Sequence, residues 1–584
     1  MRALPCPWGL FPSLDKETTG ELRKQFEKSS FSQAAEWIKA CLGSHQETCP
    51  GISETSLPTR VLDVGETSID IRLVETNGRF GRYTSLSHCW GGKQPLTTTR
   101  DNFQKHLVSI PWETIPTTFQ EAIKFNWYLG IQYLWIDSLC IIQQDSEDWA
   151  RESAKMCQVY ENSYVTIAAS SAFNSTQGLF LQDTWDLLSL QISRAGAQDV
   201  EFFGRRASPD HPRMQTAPGQ EGNEDWPLFE RAWVLQERLM SPRVVHFFKH
   251  EVAWECGRGT LCQCSDIRPT GKSEYRQTPL QSSSPAICAQ WRQLVEIYSC
   301  LKLSFLSDKL PALSGLAKQM TRKRPGARYL AGVWSDSLEM DLLWTRWRRP
   351  SMLSGIDGAS AIRRAPSWSW VAIDARVNFL NESTVRLKWV YSRILDITTT
   401  LETADPTGRV SGGELTISGQ FFDATVCHRT ISAERRIPDL PLETVEFGLT
   451  IAGTGKTVWE VSEDHQNEDA LFFDFAMDPF GCGRGFVQPV ESVKILRMAR
   501  IRHWSDGYQI PRGYGNLVQV DEAEYALILQ RCETPKTYRR VGMLIQRRVR
   551  RIPEAKYIDG DVGLWQDYPN AFEGLGIWDT VKIV

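Results

Sequence analysis

A polar and aromatic segment follows a predicted strand at residues 83–92, which read Tyr-Thr-Ser-Leu-Ser-His-Cys-Trp-Gly-Gly. Open α/β sheets bind ligands outside the carboxyl ends of their strands, and this segment has that position. Trp90 is suited to stacking on a planar ring, and Gly91 lets the backbone approach a ligand, with Ser87 and His88 as polar neighbours. The alternative is a tight turn covered by a core tryptophan.

A second polar pair, Asp137 and Ser138, follows the apolar run 133–136, which predicts a buried strand. Two such strand ends can face one cleft, which would bring Asp137 to the same edge of the sheet as the first segment. The alternative is that Asp137 only caps the next turn through its own side chain.

A glutamate interrupts an apolar stripe on the helix predicted over residues 146–160. Trp149, Glu152, Met156 and Tyr160 fall on one face of this helix. A carboxylate that points inward must be paired, neutralised or functional, because burying it alone is costly. The alternative to a functional role is a structural ion pair with an arginine.

A third block, residues 229–256, mixes charged side chains with a packed tryptophan. Arg231, Glu237 and Arg238 lie close in sequence to Trp233. This composition favours an internal lattice of salt bridges.

The order of predicted elements indicates an α/β core, because strands and helices alternate between residues 60 and 170. The sheet is expected to be mixed or parallel with flanking helices. We predict an N-terminal helical lead-in over residues 1–59, the α/β domain over 60–260, a helical and loop extension over 261–383 and a β-rich domain over 384–584.

Composition narrows the class of function. The formal charge of −4 and the pI near 6.2 argue against nucleic acid as a partner. No apolar run approaches the ~18 residues that a membrane span requires. The 14 cysteines are too sparse for a disulfide scaffold, so we expect a reducing compartment and a cytoplasmic location.

A metal site is not expected from the cysteine spacing. Cys256, Cys262 and Cys264, with His246 or His250, lack the paired Cys-x-x-Cys motifs of common zinc sites. Buried or loop thiols are the favoured interpretation of these cysteines.

Taken together, the three blocks resemble the fungal heterokaryon-incompatibility (HET) domain family. The resemblance is carried by residues 83–92, by 116–169 with Trp-Ile-Asp-Ser-Leu-Cys at 135–140, by 178–180 and by 231–256. It implies a fungal protein of non-self recognition and regulated cell death.

The HET family is in turn distantly similar to Toll/interleukin-1 receptor (TIR) domains, some of which cleave NAD. This likeness implies a TIR-like fold and NAD as a substrate, with no tightly bound cofactor. Glu152 would be the carboxylate that acts on the ribose, and Asp137 or His88 would orient hydroxyl groups or water. The resemblance places Ser87, Trp90, Gly91, Ser138 and Trp149 around the ligand.

Nicotinamide in NAD is already a cationic leaving group, so its departure needs no general acid. A carboxylate need only hold the ribose hydroxyls and stabilise oxocarbenium-like charge.

Two other functions remain open from the sequence. One is a non-enzymatic signalling or scaffold protein in which the same blocks form a self-association surface, with an unidentified activating protein as partner. The other is a cysteine hydrolase that uses Cys140 with His88, although no third orienting group is identifiable.

Overall fold

The structure is a computed structural model, and the residues it describes fall into a series of ranges. These are 19–45, 48–49, 54–67, 71–92, 96–180, 187–192, 200–205, 226–249, 251–263, 284–346, 365–380, 385–432, 443–452, 457–459, 470–473, 492–505, 517–553 and 576–584. The chain divides into two compact units: the first holds residues 1–282, 301–304 and 311–319, and the second holds 283–300, 305–310 and 320–584.

The helices are distributed over both units. In chain order they are α1 Thr19–Ser44, α2 Phe103–Val108, α3 Thr117–Leu129, α4 Asp137–Cys140, α5 Ser146–Ser153, α6 Met156–Glu161, α7 Ala232–Met240, α8 Ser284–Tyr298, α9 Ser314–Lys323 and α10 Leu338–Asp341. In the described parts of the chain, no helix is long and apolar enough to cross a membrane.

The strands of the first unit are mostly short. They are β1 Thr55–Ser56, β2 Arg60–Asp63, β3 Arg72–Glu75, β4 Phe80–Gly81, β5 Tyr83–Ser87, β6 Tyr133–Ile136, β7 Thr166–Ala168, β8 Leu187–Ile192, β9 Val200–Arg205, β10 Arg243–Phe247, β11 Val252–Cys256 and β12 Gly259–Cys262.

The second unit contains the longer strands. They are β13 Tyr329–Leu330, β14 Val333–Trp334, β15 Thr345–Arg346, β16 Val377–Asn378, β17 Val385–Val390, β18 Ser392–Leu401, β19 Val410–Ser432, β20 Glu443–Ile451, β21 Thr457–Trp459, β22 Ala470–Phe473, β23 Ser492–Ser505, β24 Leu517–Arg531, β25 Thr537–Pro553 and β26 Ile577–Ile583.

The main sheet of the first unit is mixed, with four parallel strands at its centre. Its order is β12-β11-β10-β7-β5-β6-β2-β3, in which β10, β7, β5 and β6 run parallel and the outer strands pair antiparallel. Every residue of β5 is buried, as expected for a parallel strand covered on both faces. The expected α/β core with a mixed sheet is confirmed.

The central strands follow the order of a doubly wound sheet. Counted along the chain, β5 is the first parallel strand, β6 the second, β7 the third and β10 the fourth, which gives the spatial order 2-1-3-4. In such a sheet the strand order reverses direction between the first and third strands, here between β5 and β7. The loops that leave β5 and β7 therefore flank the crevice in which this architecture places ligands.

The helix predicted over 146–160 is interrupted in the structure. It forms α5 and α6, because the amide of Lys155 bonds the carbonyl of Glu152 three residues back, a tighter turn than an α-helix makes. The stripe still faces inward as predicted: Glu152, Met156 and Tyr160 are buried, and Trp149 is half-buried.

The segment before α7 is a different kind of helix. Residues Pro227–Glu230 form a 3₁₀ helix, and the α-helix α7 begins only at Ala232.

An aromatic cluster joins α1 to the main sheet. The ring of Phe31 lies 4.8 Å from Phe125 of α3, 5.7 Å from Phe180 and 6.3 Å from Phe247 of β10. Large apolar rings in mutual contact bury much surface, so α1 is an integral layer of the first unit.

The C-terminal part of the second unit is β-rich, as expected, and its strands form a barrel-like sheet. Its large sheet runs β17-β23-β24-β25-β26-β19-β20-β21, and an additional pairing of β19 with β23 closes five of these strands on themselves. Apolar side chains such as Val426, Leu449 and Ile528 fill its core.

Candidate functional site

The loop after β5 and the turn after β6 meet through a hydrogen bond. Trp90 Nε1 donates to Asp137 Oδ2 at 3.0 Å, and the backbone amide of Ser138 donates to Asp137 Oδ1 at 2.7 Å. Asp137 thus makes both the local turn contact and the contact between strand ends that its sequence position suggested. Trp90 and Asp137 are half-buried, which leaves part of each open to a ligand.

The parallel register of β5 and β6 explains this meeting. Leu86 pairs with Ile136, so the chain leaves both strands at the same level of the sheet. Ser87 and Asp137 therefore follow at one edge, as parallel strands require.

His88 lies beside Asp137 but does not form a catalytic dyad with it. Its Nδ1 is 3.8 Å from Asp137 Oδ1, beyond hydrogen-bond distance, and its ring packs edge-on against Phe119 at 4.9 Å. Burial lowers the pKa of His88 to about 4, although Asp137 acts in the opposite direction. The imidazole is therefore neutral near pH 7.

Two polar side chains at this edge have unused hydrogen-bonding atoms. Among the described residues, neither ring nitrogen of His88 nor the hydroxyl of Ser138 has a hydrogen-bond partner. Buried polar atoms are normally satisfied by protein or water, so these three atoms are exceptional at this edge of the sheet.

The two glycines after Trp90 have different surroundings. Both adopt positive φ, +69° at Gly91 and +68° at Gly92. A Cβ on Gly91 would lie 2.2 Å from the carbonyl oxygen of Phe173, whereas a Cβ on Gly92 would meet nothing within 4 Å. The close backbone approach predicted for Gly91 is thus made to the loop after β7, in which Asn174 also lies against it.

A buried carboxylate that the sequence did not single out as a site residue lies behind this edge. Ser87 Oγ donates to Glu237 Oε2 at 2.5 Å, while the nearby Tyr160 hydroxyl donates to the backbone carbonyl of Leu86 at 3.3 Å. Burial raises the pKa of Glu237 to about 7, against the opposing charge of Arg231. Sequence reasoning assigned Glu237 only to a lattice, since its contact with Ser87 spans 150 residues.

The salt-bridge lattice expected in the third block is present around a neighbouring carboxylate. Arg238 binds Glu255 through two nitrogens at 2.6 and 3.0 Å, and His246 Nε2 lies 3.3 Å from the same carboxylate. Arg231 instead donates to the backbone carbonyl of His88 and so holds the loop after β5.

Glu152 is buried, and its described contacts lie next to β2. Its Oε1 accepts hydrogen bonds from Thr59 Oγ1 at 2.9 Å and from Lys155 Nζ at 3.2 Å. None of these contacts joins Glu152 to Asp137, Trp90 or His88. Glu152 forms its ion pair with Lys155 and not with an arginine as expected. Arg60 and Arg151 both bind Asp148, one helical turn before Glu152.

The position of β2 places Glu152 at the same edge of the sheet as the other predicted site residues. Strand β2 runs antiparallel to β6, and Leu62 pairs with Leu134. The start of β2, where Thr59 precedes Arg60, is therefore level with the end of β6 at Asp137.

Cys140 is a poor nucleophile in this structure. The thiol is fully buried, and burial raises its pKa to about 12. At neutral pH it stays protonated, and the thiol form is not the reactive one.

A cavity of about 160 Å³ lies elsewhere, in the second unit. It is lined by Leu306, Lys309, Ile373 and Arg409 among others, and by none of the predicted site residues. Burial lowers the pKa of Lys309 there to about 8.

The polar edge lies in a doubly wound α/β domain, and the sequence of that domain identifies its class. Residues 83–237 match the family described as Heterokaryon incompatibility protein (HET). For this part of the chain the match confirms the resemblance to the HET family. No curated protein and no solved structure matches the chain.

Proposed function

We propose that this chain is an effector of fungal heterokaryon incompatibility that triggers cell death from the cytoplasm by cleaving NAD after self-association. The HET domain at residues 83–237 supports the first part, because it implies a role in incompatibility. The contact of Trp90 with Asp137, at the carboxyl ends of neighbouring parallel strands, is the observation that carries the second part.

The strand order supports a ligand at this edge. Doubly wound sheets bind nucleotide-like ligands where the strand order reverses, and here that point lies between β5 and β7. The loop from His88 to Gly91 follows β5, the loop that carries Asn174 follows β7, and the two loops are in contact at Gly91. The same order is compatible with the TIR-like fold that the sequence resemblance implies.

The residues present suit a ribose and a flat ring. The Trp90 indole offers an aromatic face beside the carboxylate of Asp137, which accepts hydrogen bonds from hydroxyl groups. Ser138 and the neutral ring of His88 contribute unused polar atoms, and Ser87 and Trp149 complete the proposed surroundings of the ligand.

The proposed reaction breaks the bond between ribose C1′ and the nicotinamide nitrogen. The bonding pair leaves with nicotinamide, which becomes neutral, and an oxocarbenium-like ribose remains. Water adds to C1′ and loses a proton, so the products are nicotinamide and ADP-ribose. Glu152 supplies the negative charge that stabilises the developing cation.

Glu152 must exchange its present partner to act in this way. Lys155 has 49% of its side chain exposed, so the lysine is accessible, whereas the Glu152 carboxylate is buried. Removal of the lysine alone would leave a buried charge without a partner, which is costly. In the proposal, self-association near α5 displaces the lysine, and the cationic nicotinamide riboside takes its place beside the carboxylate.

The experiment is to incubate concentrated, purified full-length protein with NAD and to measure released nicotinamide. Glu152→Gln should abolish the release, because it keeps the shape of the side chain but removes its charge. Glu147→Gln is the matched control, since Glu147 is an exposed glutamate on the same helix. Equal nicotinamide release by the Glu152→Gln variant would remove Glu152 from the mechanism.

A non-enzymatic scaffold is the second candidate, and the partners of the carboxylates favour it. Glu152 is paired with Lys155, Asp137 accepts from Trp90, and Glu237 accepts from Ser87. If these contacts are purely structural, the domain would act through self-association and an activating protein partner. The protein would then release no nicotinamide under any condition that still permits cell death.

A further inference from the structure

Four potential metal ligands converge at the end of α1, away from the edge described above. Cys41, His45 and Cys49 lie on consecutive turns of chain, because the His45 amide bonds the Cys41 carbonyl at 3.0 Å and the Cys49 amide bonds the His45 carbonyl at 2.7 Å. Cys256, at the end of β11, completes the group. The ligand atoms of all four residues lie within 4.8 Å of one another.

The distances suit a tetrahedral zinc ion. With Zn–S near 2.3 Å and Zn–N near 2.0–2.1 Å, tetrahedral geometry places two sulfurs about 3.8 Å apart and a sulfur and a nitrogen about 3.6 Å apart. The Cys256 Sγ to His45 Nδ1 distance is 3.5 Å. The remaining pairs lie within the 4.8 Å limit, so a small contraction would bring every donor to its bonding distance.

The thiols are shielded from water and are not joined in disulfides. Cys41, Cys49 and Cys256 are each at most 2% exposed, and all three are free cysteines. His45 is half-buried and closes the group toward solvent. A compact, dry set of three sulfurs and one imidazole matches the donor set of structural zinc sites.

The Cys49 sulfur also has close neighbours outside the group of four. The Thr48 hydroxyl lies 3.8 Å from it, within hydrogen-bond distance for a sulfur atom, and the backbone of Gly257 passes close to it. Gly257 is required for this approach, because a Cβ there would lie 2.5 Å from the Thr48 carbonyl oxygen and 3.3 Å from Cys49 Sγ. Hydrogen bonds from the outer shell orient the ligands of metal sites in the same way.

We propose that Cys41, His45, Cys49 and Cys256 bind one Zn²⁺ ion in a closed, structural Cys₃His site. All four positions of the tetrahedron come from protein, so no position remains for substrate or water. The ion would link the end of α1 to β11. It would thus add to the contacts that the Phe31 ring makes between α1 and the main sheet. The proposal is independent of NAD cleavage.

The sequence predicted no metal at this place because the ligands are far apart along the chain. Cys256 was considered with Cys262 and Cys264, which follow it closely, whereas its partners in the fold precede it by more than 200 residues. The spacing Cys41-x₃-His45-x₃-Cys49 is the local signal, since residues four apart share a helix face.

The first test is metal analysis of the full-length protein purified under reducing conditions. We expect one equivalent of zinc per chain by elemental mass spectrometry. Replacement by Co²⁺ should give the sulfur-to-cobalt charge-transfer and visible bands of a tetrahedral thiolate site. Protein that contains no metal and takes up neither Zn²⁺ nor Co²⁺ would overturn the proposal.

Variants locate the ion. Cys49→Ser and Cys256→Ser should reduce the bound zinc to background, while Cys300→Ser, at an exposed cysteine, should leave it unchanged. His45→Cys guards against a folding failure: it keeps four donors, so it should retain zinc and shift the cobalt spectrum toward that of a four-thiolate site. An unchanged cobalt spectrum in His45→Cys, or a disulfide between Cys41 and Cys49 in the native protein, would contradict the assignment.

Discussion

Trp90 Nε1 donates a hydrogen bond to Asp137 Oδ2 at 3.0 Å and so links the loop after β5 to the turn after β6. The two residues lie 47 positions apart in sequence, and the parallel pairing of their strands brings them together. Because the indole is held by its nitrogen, its ring orientation is fixed relative to the carboxylate. The hydrogen bond therefore helps to hold the indole beside the carboxylate.

Loss of this hydrogen bond should destabilise the HET domain. Trp90→Phe keeps an aromatic ring but leaves a half-buried carboxylate oxygen of Asp137 without its donor. Hydrogen bonds to charged groups contribute about 1.5–3 kcal/mol, and we expect the variant to lose an amount at the lower end of this range in urea denaturation. Trp112→Phe is the control, since the Trp112 ring stacks on Trp127 and no described hydrogen bond involves its nitrogen. Equal losses in both variants would show that the bond to Asp137 has no specific effect.

The two adjacent glycines give a matched comparison. Gly91→Ala and Gly92→Ala share the cost of positive φ, about 1–2 kcal/mol, but only the first brings a Cβ to 2.2 Å from the Phe173 carbonyl oxygen. Overpacking adds about 1–3 kcal/mol, so we expect Gly91→Ala to be the more destabilising by that amount in thermal or urea unfolding. If the two variants were equally stable, the loop after β7 would not be packed against Gly91 in solution.

Glu237 should make the protein less stable as the pH rises. Its folded pKa is raised from 4.5 to about 7, so between these values the folded state holds more protons than the unfolded chain. The free energy of unfolding then falls with increasing pH. Glu237→Gln removes this titration and should gain stability relative to the native chain between pH 4.5 and 7, by up to about 3 kcal/mol. The check is urea denaturation at several pH values; parallel profiles for the two proteins would refute the buried titration.

His88 should make the protein less stable as the pH falls, which is the opposite of the effect of Glu237. Its folded pKa is lowered from 6.5 to about 4, so the unfolded chain binds more protons there, and stability falls as the pH decreases from 6.5 to 4. His88→Gln should therefore lose less stability on acidification than the native chain. Measurement at pH 8 gives the constant packing effect of the substitution, which is subtracted before the slopes are compared. A slope unchanged by the substitution would place the imidazole in contact with water.

The central sheet could be predicted from the sequence because its signals are local. The apolar run at 133–136 is short, consists mainly of residues that favour strands and is followed by polar residues. It forms β6, and Asp137 follows its last residue. The sequence also predicts that Asp137 and the polar segment after β5 lie at the same edge of the sheet, and the structure places these two strand ends side by side. The interruption between α5 and α6 could not be predicted, since it depends on one tighter hydrogen bond at Lys155.

The contacts that span the fold could not be predicted, because they are set by tertiary packing. Glu237 belongs to a helix whose sequence indicates only a charged lattice, yet the fold brings it against Ser87. Cys256 likewise meets His45 only after α1 packs on β11. Periodicity in a single sequence indicates which face of an element is buried, but it does not show which distant residues come into contact.

The proposal that the protein kills cells by cleaving NAD is tested most directly in fungal cells. NAD and viability are followed together after induced expression of the full-length protein. The native chain should deplete cellular NAD before viability falls. Glu152→Gln, expressed at the same level, should leave both NAD and viability near their starting values, while the Glu147→Gln control should behave like the native chain. Cell death by the native chain with undiminished NAD would contradict the account.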